Sequence, residues 1–182
     1  IDLIQKRRSV RRYADRPIPR ADLLKCIEAA RLAPSACNSQ PWKFIVIDEP
    51  ELKGRVAEKI FSGVYAMNKF AKAAPVLVAV VSEKMKFLAT VGSQVRDTRY
   101  YLIDIGIACE HFILQAQELG IGSCWIGWFN EKALKKELKL PNDKKVDIVI
   151  ALGYPPEEKR VSKTRKEIKD ISDFNAYRSP SV

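Results

Sequence analysis

The sequence predicts one domain of mixed helix and strand structure over residues 1–182, with residues 157–182 forming a polar C-terminal arm. The 182 residues are 47% hydrophobic and 30% charged, which is enough apolar material for one substantial core. Residues 75–82 are nearly all apolar and β-branched, as in a central strand buried on both faces. Segments with helical periodicity lie on either side of this strand, so the predicted fold class is mixed α and β.

Periodicity and helix-ending residues give the order of the elements. Helices are expected at 2–8, 19–32, 48 or 49 to 61, 65–72, 97 or 98 to 119, and 130–139. Strands are expected at 43–48, 75–82, 121–127 and 144–153. Pro34 ends the second helix because the residue before a proline disfavours helical backbone, and Gly120 ends the longest one. Residues 83–96 are predicted to be irregular and to cover or flank a pocket.

The longest predicted helix carries apolar residues on more than one face, from Leu102 and Ile103 to Leu119. A helix that is apolar nearly all round must be buried on all sides. In a domain of this size we therefore expect a second subunit to cover part of it. His111 lies in the same helix, and we interpret it as a packed core histidine rather than a ligand or a base.

The net charge of +10 favours anionic partners, of which nucleic acid is the most obvious class. However, lysines and acids alternate over residues 131–147, as on an ordinary charged surface, and no nucleic-acid-binding motif occurs. No run approaches the ~18 apolar residues of a transmembrane helix, and the first residues do not read as a signal peptide. The sequence therefore predicts a cytoplasmic protein that binds neither nucleic acid nor membrane.

The four cysteines, Cys26, Cys37, Cys109 and Cys124, are widely separated, and none belongs to a Cys-x-x-Cys pair. With a single histidine there is no zinc-ligand grouping, so no metal site is predicted. We interpret the cysteines as reduced thiols. Separated cysteines are usually packing residues, and the alternative for Cys37 is an exposed, reactive thiol, because it lies in a polar loop.

Residues 7–13 form the most unusual stretch, since they place four arginines and a serine within seven positions. Guanidinium groups at this density repel one another unless an anion lies among them. The hydroxyl of Ser9 beside them indicates that this anion is a phosphate. The alternative is a solvated basic face, and these residues alone leave both interpretations open.

Three further segments could complete a ligand site. The loop at 34–42 is rich in Ser, Asn and Gln, which suits hydrogen bonds to a planar polar ligand, although an ordinary turn region has the same composition. Gly127 lies between two tryptophans, and its lack of a side chain lets backbone approach a flat ligand closely. Residues 163–166 form a second basic cluster that could bind phosphate.

Four segments together resemble the FMN-dependent nitroreductase family, specifically its short members. They are Arg-Arg-Ser-Val-Arg at 7–11, Pro-Ser-Ala-Cys-Asn-Ser-Gln-Pro-Trp at 34–42, Leu-Gly-Ile-Gly-Ser-Cys-Trp-Ile-Gly at 119–127, and Leu-Gly-Tyr-Pro at 152–155. Their order is the family's order. The resemblance implies an α+β fold with a central, mostly antiparallel sheet flanked by helices. It also implies an intertwined homodimer with flavin sites at its interface.

Carried over by motif, the resemblance implies a set of FMN contacts. On the phosphate side these are Arg7 and Ser9, with Arg8 beside them and Lys163 and Arg165 closing around the group. On the ring side they are Arg11 and Asn68 at the polar edge, and Ile126 and Gly127 along the ring, with the Gly127 amide near flavin N5. From the other subunit they are Pro34, Ser35, Ala36 and Asn38. Arg12 is left as a solvated arginine.

The implied activity is that of an NAD(P)H-dependent FMN oxidoreductase. NAD(P)H would deliver a hydride to the flavin and leave, and a nitroaromatic, quinone or similar small acceptor would then be reduced over the same ring. No catalytic side chain is predicted, because the cofactor supplies the hydride chemistry. The alternatives are a flavin-binding redox sensor and a flavin enzyme of a related branch, such as a dehalogenase or an enoyl-type reductase.

Overall fold

The computed structural model describes residues 1–83, 97–156 and 163–177. Its α-helices are α1 (Asp2–Lys6), α2 (Arg20–Arg31), α3 (Pro50–Ile60), α4 (Tyr100–Glu118) and α5 (Glu131–Glu137). Its 3₁₀ segments are Ala36–Asn38, Gly63–Ala73 and Ile168–Asp170. Its strands are β1 (Trp42–Ile47), β2 (Val76–Ser82), β3 (Gly122–Ile126) and β4 (Lys145–Gly153). The predicted irregular segment at 83–96 lies outside the described residues, apart from Glu83.

The four strands form one sheet in the order β1-β2-β4-β3, and each neighbouring pair is antiparallel. The α+β fold with a mostly antiparallel central sheet is therefore confirmed. The predicted central strand is β2, which is buried from Val76 to Val81 because helices cover both faces of the sheet. Its pairing with β4 shifts register between Val80 and Val81, so Asp147 on β4 is the extra residue of a bulge.

Helices cover the sheet on both faces and give two cores. On one face α2 and α4 pack over the sheet, and Phe112 of α4 stacks on Phe44 of β1 with ring centroids 5.5 Å apart. On the other face α3, α5 and the segment Gly63–Ala73 bury a second apolar cluster. Both faces of the sheet are thus shielded from solvent, as the apolar pattern of residues 75–82 requires.

Local side-chain chemistry fixes several helix ends where the sequence predicts them. The Glu49 carboxylate accepts hydrogen bonds from the backbone N–H groups of Glu51 (2.9 Å) and Leu52 (2.6 Å), which begins α3. The Asn130 side chain accepts from the N–H of Ala133 at 3.0 Å and begins α5. Gly120 has a φ of +72° and follows α4, as a left-handed C-terminal residue does.

Other predicted boundaries are wrong. The first helix ends at Lys6 instead of residue 8, because the backbone at Arg7 is extended (ψ 128°). The longest helix begins at Tyr100 rather than at residue 97 or 98. Residues 63–73 form 3₁₀ turns in place of an α-helix, and the interruption falls at Asn68, whose side chain bonds the backbone of a distant residue.

The helix α4 is only partly enclosed by this chain. Ala108, Phe112 and Ala116 are fully buried between α2 and the sheet. Near its first turn, however, the side chains of Leu102 and Ile103 are 40% and 52% exposed. The expected burial on all sides is therefore not achieved within one chain. Among the described helices, none combines the length and hydropathy needed to cross a bilayer.

Candidate cofactor site

The basic stretch lies along the outer edge of β3. Val10 donates a backbone hydrogen bond to the Ser123 carbonyl oxygen at 2.8 Å, and Ser9 forms a parallel bridge with Ser123. The Val10 side chain is 3% exposed and lies directly over Gly122, where a Cβ atom would be 2.6 Å from it. The Tyr13 hydroxyl donates to the Val10 carbonyl oxygen at 2.7 Å. These contacts hold the stretch in place, so its arginines extend from a fixed backbone.

Cations from both ends of the chain meet beside α1. The Lys163 ammonium donates to the carbonyl oxygens of Ile4 (3.2 Å) and Gln5 (2.6 Å) in the last turn of α1. Partial burial lowers the pKa of Lys163, and the positive charges of Arg7 and Arg165 lower it further. The structure therefore brings together three of the predicted phosphate residues. Such a cluster is stabilised by a bound anion.

One acid shares this cluster. The Arg7 Nε atom lies 3.7 Å from Oε1 of Glu110 on α4, and the Arg7 side chain is 21% exposed. A partly exposed ion pair of this length is weak, so it does not neutralise the cluster. Arg7 thus lies beside Glu110 in a region that keeps its positive charge.

The remaining arginines of the stretch differ in their surroundings. The Arg11 guanidinium carbon lies 5.7 Å from the ring centre of Phe70, a cation–π distance. Burial raises the pKa of the Cys124 thiol, while the charge of Arg11 and a hydrogen bond with Ser9 oppose the rise. Ser9 and Arg11 therefore both lie near the Cys124 side of β3. Arg8 is half-buried and Arg12 is exposed.

The C-terminal end of β3 offers open backbone. Ile126 is buried, whereas Gly127 is exposed, and a Cβ atom on Gly127 would meet only the Ile148 Cδ1 atom, at 4.0 Å. The Asn68 side-chain amide donates to the Trp128 carbonyl oxygen at 2.8 Å. The structure thus places the predicted ring-side residues Asn68, Ile126 and Gly127 beside one another. A flat ring can approach the Gly127 backbone without steric conflict.

The polar loop at 34–42 has a fixed shape. Cys37, Asn38 and Gln40 have left-handed backbone, with φ values of 52°, 50° and 49°. The Gln40 N–H donates to Ser35 Oγ at 2.9 Å, and the Gln40 side chain donates to Asn38 Oδ1 at 2.9 Å. Three non-glycine residues in this conformation carry a conformational cost, which the internal hydrogen bonds offset. The backbone angles and the internal hydrogen bonds therefore distinguish this loop from an ordinary turn region.

This loop is attached to α4 and not to the basic stretch. The Ala36 N–H donates to Oδ1 of Asp104 at 3.1 Å, and Asp104 is only 4% exposed. Burial raises the pKa of the Asp104 carboxyl, although the bond from Ala36 opposes the rise. Asp104 and Glu110 are six residues apart, which is about 9 Å along a helix and a third of a turn around it. The two parts of the predicted site thus contact different positions of α4.

Sequence reasoning misses three residues of this region. Glu110 lies beside Arg7, Phe70 lies under Arg11, and Asp104 anchors the loop. An aspartate within an otherwise apolar helix is the one signal in the sequence that could have identified Asp104. Neither Glu110 nor Phe70 stands out in the sequence, because each gains its role only from a neighbour far along the chain.

Three of the four cysteines are buried as packing residues, as expected, whereas Cys37 follows the alternative. Cys37 is exposed, whereas Cys26, Cys109 and Cys124 are buried and all four are free thiols. Burial raises the pKa of Cys26 and Cys109 to about 12, so these thiols are unreactive. His111 packs between helices, with Nδ1 3.3 Å from the Ala29 carbonyl oxygen. Within residues 1–83, 97–156 and 163–177, no group of three or more His, Cys, Asp and Glu residues could hold a metal ion.

The residues present fit the FMN that the resemblance implies. FMN has a phosphomonoester of about −1.5 to −2 charge, which suits the cations of Arg7, Lys163 and Arg165. Its flat ring system suits the open backbone at Gly127. Arg11 lies four residues after Arg7, and its guanidinium group contacts the Phe70 ring.

Comparison with known proteins identifies the relatives of the chain. The sequence model of the nitroreductase family matches residues 4–154. A chain of Archaeoglobus fulgidus, provisionally named NADH dehydrogenase/NAD(P)H nitroreductase, is 36% identical over 87% of both chains. An iodotyrosine deiodinase of Thermotoga neapolitana is 28% identical over 87% of this chain and 89% of its own. The solved structure of an FMN-dependent nitroreductase from Clostridium difficile is 29% identical, with a TM-score of 0.75 and coverage of 96% and 98%.

Proposed function

The chain belongs to the nitroreductase family, and from that premise we propose that it is an FMN-dependent oxidoreductase that uses NAD(P)H to reduce small organic acceptors. The acceptors are nitroaromatics, quinones or similar compounds. The observation that carries the proposal is the contact of the Lys163 ammonium with the Ile4 and Gln5 carbonyls, which brings the C-terminal cations to the start of the basic stretch at Arg7. These cations come from opposite ends of the chain, which a solvated basic face would not require.

The chain's own residues then bind and orient the cofactor. Arg7 and Lys163 would hold the phosphate, with Ser9 donating its hydroxyl, and Arg11 would supply positive charge at the polar edge of the ring. The Gly127 backbone would face the ring. FMN, when bound, supplies the hydride chemistry, so the chain needs no acid–base pair of its own. With a quinone the overall reaction is NAD(P)H + H⁺ + quinone → NAD(P)⁺ + hydroquinone, which balances in atoms and electrons.

The proposed enzyme is a homodimer. Leu102 and Ile103 on α4 are partly exposed near the loop at 34–42, which is anchored on the same helix by Asp104. The C-terminal arm adds four largely exposed apolar side chains at intervals of three residues, namely Ile168, Ile171, Phe174 and Tyr177. Apolar surface of this extent is typical of a protein interface. A second copy covering it would bring its own 34–42 loop, with Pro34, Ser35, Ala36 and Asn38, to the flavin.

The test is spectroscopic. Purified protein reconstituted with FMN is expected to be yellow and to show a bound-flavin spectrum. Anaerobic addition of NADH or NADPH should bleach the colour, and menadione or nitrofurazone should restore it. A protein that cannot take up FMN contradicts the proposal. Bleaching without recovery on any acceptor favours the redox-sensor alternative.

A second candidate function is reductive dehalogenation. The similarity to an iodotyrosine deiodinase over most of both chains favours this branch of flavin enzymes. Incubation of the reduced, FMN-loaded protein with 3-iodotyrosine, followed by measurement of released iodide, tests it. Iodide release faster than quinone reduction would make the dehalogenase the primary activity, and no release would exclude it.

A further inference from the structure

An exposed group of apolar side chains lies beside the open backbone at Gly127. We call the group formed by Val64, Tyr65, Met67 and Trp128 the aromatic shelf. Trp128 is 54% exposed, and Val64 and Met67 are each 76% exposed. Met67 lies three residues after Val64 in a 3₁₀ segment, in which side chains at that spacing share a face. Large apolar side chains on one exposed face mark a binding surface more often than scattered ones do.

The shelf has a fixed geometry because Trp128 is held at three points. Its indole Nε1–H donates to the Val64 carbonyl oxygen at 3.0 Å. Its own carbonyl oxygen accepts from the Asn68 side chain at 2.8 Å. Its ring contacts the ring of Tyr65, with centroids 5.2 Å apart and an interplanar angle of 47°. An indole whose polar atom is already bonded, yet whose ring faces solvent, is available for contact through its apolar face.

The shelf also adjoins the proposed redox centre. Trp128 follows Gly127 directly, and the space over Gly127 is open. Asn68, which the shelf uses to hold Trp128, is a predicted contact of the flavin's polar edge. A molecule that rests on the shelf is therefore next to the position proposed for the flavin ring.

We propose that the aromatic shelf is the acceptor-binding surface, and that Trp128 determines a preference for flat, electron-poor aromatic acceptors such as quinones. This inference rests on the function proposed above. The electron-rich faces of indole and phenol rings attract electron-poor rings in offset or tilted stacks. Val64 and Met67 supply apolar contact around them, as is usual in small-molecule sites. Such an acceptor takes the hydride and the proton of the balanced reaction given above and leaves as the hydroquinone.

The size of the shelf favours a small molecule over a protein partner. Four partly exposed side chains offer less area than the ~800 Å² per partner that a standard protein interface buries. The apolar residues of the C-terminal arm, which are the proposed dimer surface, belong to a separate segment of the chain. The shelf is thus suited to one aromatic ring system.

The test compares Trp128→Ala and Trp128→Phe with the wild type, with Leu24→Ala as a control for an equally exposed apolar residue on α2. The first measurement is the Kd of menadione for the oxidised, FMN-loaded protein by titration calorimetry, which involves no turnover. The second is kcat/KM for menadione and for ferricyanide, a charged acceptor with no flat ring. FMN content and oligomeric state are recorded for every variant.

Trp128→Ala is expected to raise the Kd of menadione about tenfold and to lower kcat/KM for menadione by a similar factor, as the loss of one ring stack implies. FMN content and ferricyanide reduction should stay within about twofold, and Trp128→Phe should be intermediate because it keeps a ring. Leu24→Ala should match the wild type.

Three results would overturn the inference. The first is a Trp128→Ala variant that retains its FMN and binds menadione with the same affinity as the wild type. The second is an equal loss with both acceptors. The third is a change of oligomeric state, which would make the shelf an interface between copies. A wild-type protein that binds no FMN fails at the earlier step and contradicts the proposed function itself, so the two failures are distinguishable.

Discussion

Arg7 connects more parts of this molecule than any other residue of the basic stretch. It follows α1 directly, contacts Glu110 on α4, and lies close enough to Lys163 for its charge to lower that pKa. Its side chain is 21% exposed. In the proposed function, its guanidinium group would hold the phosphate through several directed hydrogen bonds.

Arg7→Ala is expected to weaken FMN binding by about 1–3 kcal/mol, which is the contribution of a hydrogen bond to a charged group. Flavin fluorescence quenching measures the affinity. Arg12→Ala is the matched control, because Arg12 is an exposed arginine of the same stretch. Equal affinities in the wild type and Arg7→Ala would contradict the assignment of Arg7 to the phosphate.

Asp147 is a second informative residue, on the bulge of β4. Both of its carboxylate oxygens are buried, and neither has a hydrogen-bond partner of good geometry within the described residues. Burial raises the pKa of this carboxyl from its ordinary value of 3.8, and the neighbouring Ser82 and Lys145 oppose the rise only in part. The folded protein therefore binds this proton more tightly than the unfolded chain does, so ionised Asp147 lowers stability at neutral pH.

Asp147→Val is expected to raise the free energy of unfolding at pH 7 by about 1 kcal/mol, because it removes unpaired polar atoms from the sheet. The gain should shrink as the pH falls through the raised pKa toward 3.8, where the carboxyl becomes neutral. Urea denaturation at pH 7 and pH 4.5 gives the comparison. Asp143→Ala, an exposed acid, is the control; a gain that is independent of pH would refute the charge argument.

At the scale of elements, the contact between the basic stretch and β3 decides whether the phosphate residues are in place. Val10 packs on Gly122, and its Cβ and both Cγ atoms lie within 3.0 Å of the position of an added Cβ. Valine is stiff at χ1, so it cannot rotate away. The space at Gly122 is therefore what permits residues 9 and 10 to lie against the strand.

Gly122→Ala is expected to displace the stretch and to destabilise the fold by about 1–3 kcal/mol, as overpacking does. FMN affinity should fall with it. Gly54→Ala is the control, since a Cβ at Gly54 in α3 meets nothing within 4 Å. That substitution should raise stability by about 0.5–1 kcal/mol, as glycine-to-alanine changes in helices do. Thermal melts and flavin titrations of both variants test the argument, which fails if the two behave alike.

Helix ends show which parts of an element are locally encoded. Glu49 and Asn130 begin helices through their own side chains, so the sequence identifies both positions. The segment at 63–73 is different, because Asn68 bonds the Trp128 carbonyl, sixty residues away. The 3₁₀ segment is interrupted at the residue that makes this distant contact, which helical periodicity does not report.

At the scale of the whole molecule, exposed apolar residues occur where a second subunit is proposed. Ile168, Ile171, Phe174 and Tyr177 are 79%, 69%, 84% and 84% exposed along the C-terminal arm. Solvation of this row in a single chain is unfavourable, at about 25 cal/mol for each Å² of apolar area. The first described residue of the arm, Lys163, is bonded to the end of α1, so the proposed interface adjoins the proposed phosphate site.

The double substitution Ile171→Ser/Phe174→Ser is expected to convert the dimer to a monomer at micromolar concentration, with loss of FMN because the partner's loop is then absent. Analytical ultracentrifugation measures the mass, and the flavin spectrum measures the cofactor. Leu24→Ser, on α2, is the control for an exposed apolar side chain outside the arm. A variant that remains dimeric and yellow would show that the arm does not maintain the interface.

Much of the fold is determined by the sequence itself. The apolar run at 75–82 requires a strand covered on both faces, and the structure buries β2 in this way because helices lie on each side. Side-chain caps and glycines at helix ends are local features, so Glu49, Gly120 and Asn130 can be identified from their neighbours alone. The density of arginines at residues 7–13 indicates an anion site, but residue type alone leaves a solvated basic face as the alternative.

Tertiary structure alone decides how these pieces meet. The docking of Val10 on Gly122, the contact of Arg7 with Glu110, and the convergence of Lys163 with Arg7 each join residues more than a hundred positions apart. No local pattern encodes such pairs, because they depend on which strand is at the sheet edge and which helix crosses it. The sequence determines which residue types this chain carries at the proposed flavin site, and the fold decides which of them lie together.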